Sequence, residues 1–499
     1  MKTLLQAPGT VLVKALWIVS LAAGLSACSD QTGLEQDAQA GDATVAATAG
    51  ALPAIAAYTA SAQKIEGFYP LYWDAAGGRL LLEVAAFDAP FIFVSSLSRG
   101  LGSNDLGLDR GQLGATWLAR FVRSGNKVLL LADNPVYTAT SDNPEETSAI
   151  EQAFARSALG GFKAVAASDG GVLVDATDFF LGDTHGVARR LKQKEQGDYQ
   201  ADPARSAIYL PRTRGFPDNT EVEAIVTLAG NPTGDIIGTV TPDARSVTVH
   251  QHYSFVRLPE PGYEPLPYDP RAGYIDLGDD SLRYDYGSAI GEPLLQPYAW
   301  RHRLRKRDPA AAVSAAVEPI VYYLDRGVPE PVRGALIEGA GWWNQAFEAA
   351  GYRDAFQVKL LPEGADPMDV RYNVIQWVHR STRGWSYGAS VRDPRTQEII
   401  KGHVTLGSLR VRQDYLLAEG LLAPYGDDVE EPPELLAFAL ARIRQLAAHE
   451  VGHTLGLEHN FAASTDGRAS VMDYPHPRVT LSESGDIDLS RAYAAGIGT

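Results

Sequence analysis

Near its C-terminal end the chain reads His449-Glu450-Val451-Gly452-His453-Thr454-Leu455-Gly456-Leu457-Glu458-His459, and no other feature restricts the fold as much. Leu436, Ala439, Leu440, Ile443, Leu446, Ala447 and Val451 form an apolar stripe leading into it, which predicts a long helix opened by Pro432 and Pro433. His449 and His453 are four residues apart, so their imidazoles project from one helix face about a turn from each other. Two neutral imidazoles at that spacing can share one Zn²⁺. Glu450 adjoins the first of them and can reach a water on the metal. Gly456 can adopt the left-handed conformation that ends a helix and turns the chain back, so that His459 supplies a third nitrogen. Three protein ligands leave the fourth position to water, the arrangement of a catalytic rather than a structural site. Five fixed positions of this kind match by chance on the order of 10⁻⁵ times per chain.

A second signal centres on Met472, thirteen residues after His459. Ser470-Val471-Met472-Asp473-Tyr474 resembles the Met-turn of the metzincin clan of zinc peptidases. In that resemblance Met472 forms an apolar floor beneath the metal, which in packing terms is a core methionine. Tyr474 matches the tyrosine that astacins and serralysins set near the zinc. It would ligate the resting metal or hydrogen-bond the tetrahedral intermediate; a packed tyrosine is the alternative. Asn460 stands where astacins have an acidic residue, so no better-known subfamily follows. Upstream, Pro319–Asp325, Trp342–Phe347 and Asp393–Thr396 resemble a bacterial family of zinc-dependent metalloproteases that carry β-rich regions ahead of the catalytic domain.

The resemblance implies a metzincin-type zinc metalloendopeptidase acting on a peptide or protein substrate with one catalytic Zn²⁺. Glu450 would be the general base of water attack on the peptide bond. The strand around His403–Leu409 is the expected sheet edge for an extended substrate, with His403 read as a strand cap rather than a cleft residue. The alternative is a cell-surface binding lipoprotein whose zinc site is catalytically silent. Glu450 speaks against it, because a structural site needs no base. The chain stops 27 residues after Met472, inside a helix expected from Leu489, and so reads as a truncated member of a longer family.

The rest of the chain sets the domain plan. Lys2 and Lys14 precede the apolar segment Ala15–Leu25, too short to span a bilayer comfortably. It ends in Leu25-Ser26-Ala27-Cys28, which looks like a lipobox, with Cys28 as the lipidated mature N-terminus. Ser29 rather than Asp in the next position favours the outer membrane of the bacterial envelope. Cys28 is the only cysteine, so no intramolecular disulfide or Cys-based zinc site is possible. Residues 1–27 are thus read as a lipoprotein signal peptide and 28–60 as a flexible Ala/Thr/Gly-rich tether. Residues 61–300 read as a β-rich domain of unknown function: Phe68–Trp73 and Arg79–Val84 suggest a hairpin. Val128–Leu131, Val172–Val174, Val222–Leu228 and Ser246–Leu258 are further strands, with one helix over Glu145–Leu159. His250 and His252 share one strand face and could bind metal, but a surface or half-buried pair is the expected reading. His185 and His302 stand alone, and the basic run Arg301–Arg307 reads as a solvated connector. Residues 317–499 read as the metzincin-like catalytic domain, with strands at Ile320–Leu324, Phe356–Leu361, Val370–His379 and Glu398–Leu409 and a helix over Val332–Ala350. The expected fold is therefore α+β and multidomain: a β-rich N-terminal domain followed by an α/β zinc peptidase domain. The net charge of −17 argues against general nucleic-acid binding, which rests on neutralising phosphates with Lys and Arg.

Overall fold

The strand Phe91–Arg99 is buried on both faces for nearly its whole length, and the reason organises the molecule. Its inner face adds Phe91 and Phe93 to an aromatic core with Phe121, Tyr253 and Phe255. Its outer face turns Ile92 and Val94, with Val256, onto Val370 and Val391 from the C-terminal half. A computed structural model describes residues 52–275, 278, 282–423, 432–474 and 476–498. Cys28 and the apolar segment before it lie outside the described residues.

The N-terminal sheet is antiparallel throughout its main path. It runs in space as Gln63–Ile65, Leu71–Asp74, Arg79–Val84, Gly171–Asp175, Ser157–Ser168, Lys127–Ala132, Gln112–Ser124, Phe91–Arg99, Ser246–Val256, Asn219–Pro232 and Gly197–Ala201. It wraps round: the Tyr69 amide donates to Thr220 Oγ1 at 3.0 Å, and that hydroxyl donates back to the Tyr69 carbonyl at 2.9 Å. Two expectations change here. The helix ends at Ala153, because it buries no side chain and Ser157–Leu159 are taken into a strand. Residues 52–60, expected within the tether, pack against the sheet. Ile55 is buried, its amide donates to Ser168 Oγ at 3.0 Å, and the Ala167 amide donates to the Pro53 carbonyl.

The C-terminal sheet is mostly parallel: Arg301–His302, Glu398–Gly407, Asn373–Val378, Ile320–Leu324 and Phe356–Leu360, in that order. Tyr387–Arg392 adds antiparallel to Glu398–Gly407. The helix Pro433–Thr454 packs on this sheet, with Ile443, Leu446, Ala447 and Val451 meeting Tyr322, Leu324, Ile375 and Val404. The single helix expected over Val332–Ala350 is two, Val332–Gly341 and Asn344–Ala349, parted at Trp342 and Trp343. The Trp343 indole turns into the core and donates to the Ala448 carbonyl at 2.7 Å. The helix Leu409–Leu422 leaves no sequence signal because it has no apolar stripe; it buries Asp414 and Ala418 and exposes Leu416 and Leu417. No helix begins at Leu489 among the described residues. Leu489 and Ala492 sit in turns, buried against Leu435 and Phe438.

Two further readings are corrected. Glu398–Gly407 is an interior strand, so His403 lies at no sheet edge. It is buried, with Nε2 2.9 Å from the Gln376 side-chain amide. The run Arg301–Arg307 is no solvated connector throughout: it opens with a strand of the sheet, and Arg303 pairs with Glu398 at 2.7 Å.

Ion pairs join the two sheets. The guanidinium of Arg380, from the C-terminal half, is buried against Asp109 with hydrogen bonds of 3.0 and 2.9 Å. Arg110 reaches Asp325 at 2.9 Å and the Trp377 carbonyl at 2.8 Å. Arg212 reaches Asp366 at 2.7 Å.

Candidate metal centre

The C-terminal end of Pro433–Thr454 carries His449 and His453, and His459 follows five residues after it. Ligand nitrogens of His449, His453 and His459 all lie within 4.8 Å of one another. His453 Nε2 is 3.2 Å from both His449 Nε2 and His459 Nε2. The other ring nitrogens explain why these atoms face inward. His449 Nδ1 is 2.9 Å from the Val471 carbonyl, and His453 Nδ1 is 2.8 Å from the Leu457 carbonyl. A carbonyl only accepts, so each Nδ1 carries the proton and each Nε2 presents a lone pair. Lone pairs 3.2 Å apart repel unless a cation lies between them. That separation fits nitrogens bound to one tetrahedral ion at about 2.1 Å each. Burial holds the pKa of His449 down to about 3 and also lowers that of His453, so both rings are neutral at neutral pH and could each give a lone pair to a metal. His459 Nδ1 lies 3.1 Å from Glu458, whose carboxylate also accepts the His459 amide.

The turn at Gly456 brings His459 back. Its φ is +96°, where L side chains are strained, and a Cβ there would lie 2.1 Å from the Trp300 carbonyl. A segment from far upstream braces this turn: the Ile275 amide donates to the Gly456 carbonyl, and the Glu458 amide to the Gly273 carbonyl, both at 2.9 Å. Nothing in the periodicity of residues 261–300 signalled that contact.

Met472 is buried in the core that includes Trp343, Ala448 and Val451. A Cβ on Gly452 would come 2.3 Å from the Met472 sulfur and 2.7 Å from the Trp343 ring, so glycine lets the helix lie on this floor. The same turn holds His449 through the Val471 carbonyl and Asn460, the neighbour of His459, through the Met472 carbonyl, which accepts the Asn460 amide at 2.9 Å.

Glu450 is 5% exposed, and burial raises its carboxyl pKa to about 8, partly opposed by Arg442. Tyr474 is not a core residue: it is 57% exposed, with ring centroids 4.5 Å from His459 and 5.0 Å from His449. Burial, then the charge of Glu450, raises its hydroxyl pKa. Phe461, also exposed, stacks on His459 at 5.2 Å. Tyr387–Arg392 runs directly over the helix. A Cβ on Gly388 would lie 2.5 Å from the Glu450 carbonyl and 3.0 Å from His453 Cβ.

The expected ligands, Met472 and Tyr474 thus meet in one place. His185, His302 and His403 do not join them, and His250 and His252 lie in the other sheet. Two family models match the chain. Residues 111–307 match a domain of unknown function (DUF5117), and residues 431–499 match a family described as Met-zincin. No curated protein and no solved structure matches.

Proposed function

From a chain whose residues 431–499 carry the Met-zincin match, we propose a zinc-dependent endopeptidase with Glu450 as its general base. The observation that carries the reading is the convergence of three imidazole lone pairs beside a buried carboxylate. When bound, zinc supplies Lewis-acid polarisation of the scissile carbonyl and acidifies the attacking water. Glu450 takes a proton from that water as its oxygen bonds to the carbonyl carbon. It then gives the proton to the amide nitrogen as the C–N bond breaks, releasing an amine and a carboxylic acid whose remaining proton is lost to solvent. A cation among the imidazoles favours the ionised form of Glu450 and offsets the burial that otherwise holds its proton on. The Tyr474 hydroxyl is the proposed donor to the developing oxyanion.

Tyr387–Arg392 is the proposed docking strand. Its two faces are occupied by the helix and the N-terminal sheet, and it ladders only with Glu398–Gly407 among the described strands. An extended peptide adding there would cross the zinc helix beside Glu450. The test is Glu450→Gln. Hydrolysis should fall by about 10²–10⁴-fold with zinc retained, and persistence of hydrolysis would remove Glu450 from the role of base.

Cys28 is proposed to carry a lipid anchor in the bacterial envelope, on the lipobox-like Leu25–Cys28 and Ser29. No helix among the described residues is long and apolar enough to cross a membrane. Labelled fatty acid should enter the wild-type chain and not Cys28→Ser; equal labelling of both would end the proposal.

A further inference from the structure

A second cluster lies where the two sheets meet. Glu223 and His252 face each other on the paired strands Asn219–Pro232 and Ser246–Val256. Asp366 comes to them from the loop between Phe356–Leu360 and Asn373–Val378. All three residues are buried, and one ligand atom from each lies within 4.8 Å of the others.

Among the described residues, each side chain has one partnered end and one bare end. His252 Nε2 is 2.7 Å from Glu221 Oε2, while His252 Nδ1 has no hydrogen-bond partner. Glu223 Oε1 is 2.7 Å from His250 Nδ1, while Glu223 Oε2 has none. Asp366 Oδ1 accepts from Arg212 at 2.7 Å, while Asp366 Oδ2 has none. A buried polar atom without a partner costs about 1–3 kcal/mol, and three together in one place point to something they hold in common.

His252 Nδ1 and Glu223 Oε2 are 3.6 Å apart, too long for a direct hydrogen bond. Two donors at about 2.1 Å from a tetrahedral ion stand roughly 3.4 Å apart. Glu221 completes the pattern. By accepting Nε2–H it keeps the lone pair of a neutral imidazole on Nδ1, as carboxylates behind metal-bound histidines do. A donor set of one imidazole and two carboxylates suits first-row transition metals.

We propose that Glu223, His252 and Asp366 form a second, structural site for a divalent transition-metal ion, which clamps the β-rich sheet to the peptidase half. The sequence offers His250 and His252 as a surface or half-buried pair, but both are buried, each held by a glutamate of the neighbouring strand. Only His252 belongs to the site, and His250 supports Glu223 from behind. The competing occupant is a proton. Burial disfavours the charged ring, but Glu221 and Glu223 outweigh it and raise the pKa of His252 above its ordinary value.

The test uses the full chain with His453→Ala, which takes away the peptidase-site ion. After equilibration with Zn²⁺ and removal of excess, this protein should retain about one zinc per chain. Diffraction at the zinc edge should place an anomalous peak among His252, Glu223 and Asp366. Adding Asp366→Asn should weaken retention by at least tenfold; if that protein is unfolded by circular dichroism, the anomalous peak decides alone. No retained zinc and no peak in folded His453→Ala protein, leaving an imidazolium between two carboxylates, overturns the proposal. Two zinc ions in wild-type chain with one in His453→Ala keep this site apart from the peptidase reading.

Discussion

The Nδ1 of His449 donates to the carbonyl of Val471 at 2.9 Å, so the residue before the Met-turn methionine sets the tautomer of the first ligand. One turn therefore controls both the floor and the chemistry of the site. The next carbonyl, that of Met472, holds Asn460 beside the third ligand. Such partners behind a ligand typically affect metal affinity by about 10–100-fold.

Met472→Ala should follow from this. The side chain is buried beneath Gly452 and against Trp343. Its truncation should cost about 2–5 kcal/mol, read as a drop in urea midpoint, and should loosen zinc in a competition assay. Wild-type stability and affinity in this variant would rule out the floor role.

Gly452→Val should be worse for the site than for the helix as such. The new Cβ meets the methionine sulfur at 2.3 Å and the Trp343 ring at 2.7 Å, so the helix must lift from its floor. Overpacking of this kind costs about 1–3 kcal/mol. Zinc retention measured on the folded fraction should fall with it, and unchanged retention would show that the floor yields without moving the ligands.

Much of this centre was legible in advance because it is local. Ligands four residues apart on a helix, a glycine turn and a methionine turn are fixed by spacing along the chain. What was not legible depends on distant segments. Asp366 meets Glu223 and His252 across the two halves, and Gly273 and Ile275 brace the turn at Gly456. Periodicity carries no record of such partners. The same limit explains His403. Its strand reads equally well as an edge or an interior strand, and only the pairing of Tyr387–Arg392 decides which.

Removing one partner of the buried pair Arg380–Asp109 tests how the halves are joined. Arg380→Ala leaves the Asp109 carboxylate buried without its guanidinium. The expected loss is about 3–5 kcal/mol in chemical denaturation. A change below about 0.5 kcal/mol would mean that this pair does not hold the interface.

Stability should also fall on the acid side. Burial holds the pKa of His302 down to about 4, against an ordinary value of 6.5. Between those values the unfolded chain binds the proton and the folded chain does not. This contribution is therefore fully present above pH 6.5 and is lost as pH falls toward 4. It amounts to at most about 3 kcal/mol. His302→Gln should flatten the curve of unfolding free energy across this window, and an unchanged slope would assign the acid sensitivity elsewhere.

Zinc-dependent peptide cleavage is proposed to take place at His449, His453 and His459. Its most direct test is a diverse peptide library incubated with the purified chain from Ser29 onward, with cuts read by mass spectrometry and zinc counted on the same sample. Internal cuts are expected that a chelator abolishes, that added zinc restores and that His453→Ala does not make. Bound zinc in folded protein with no cuts, or cuts indifferent to the chelator, would contradict it.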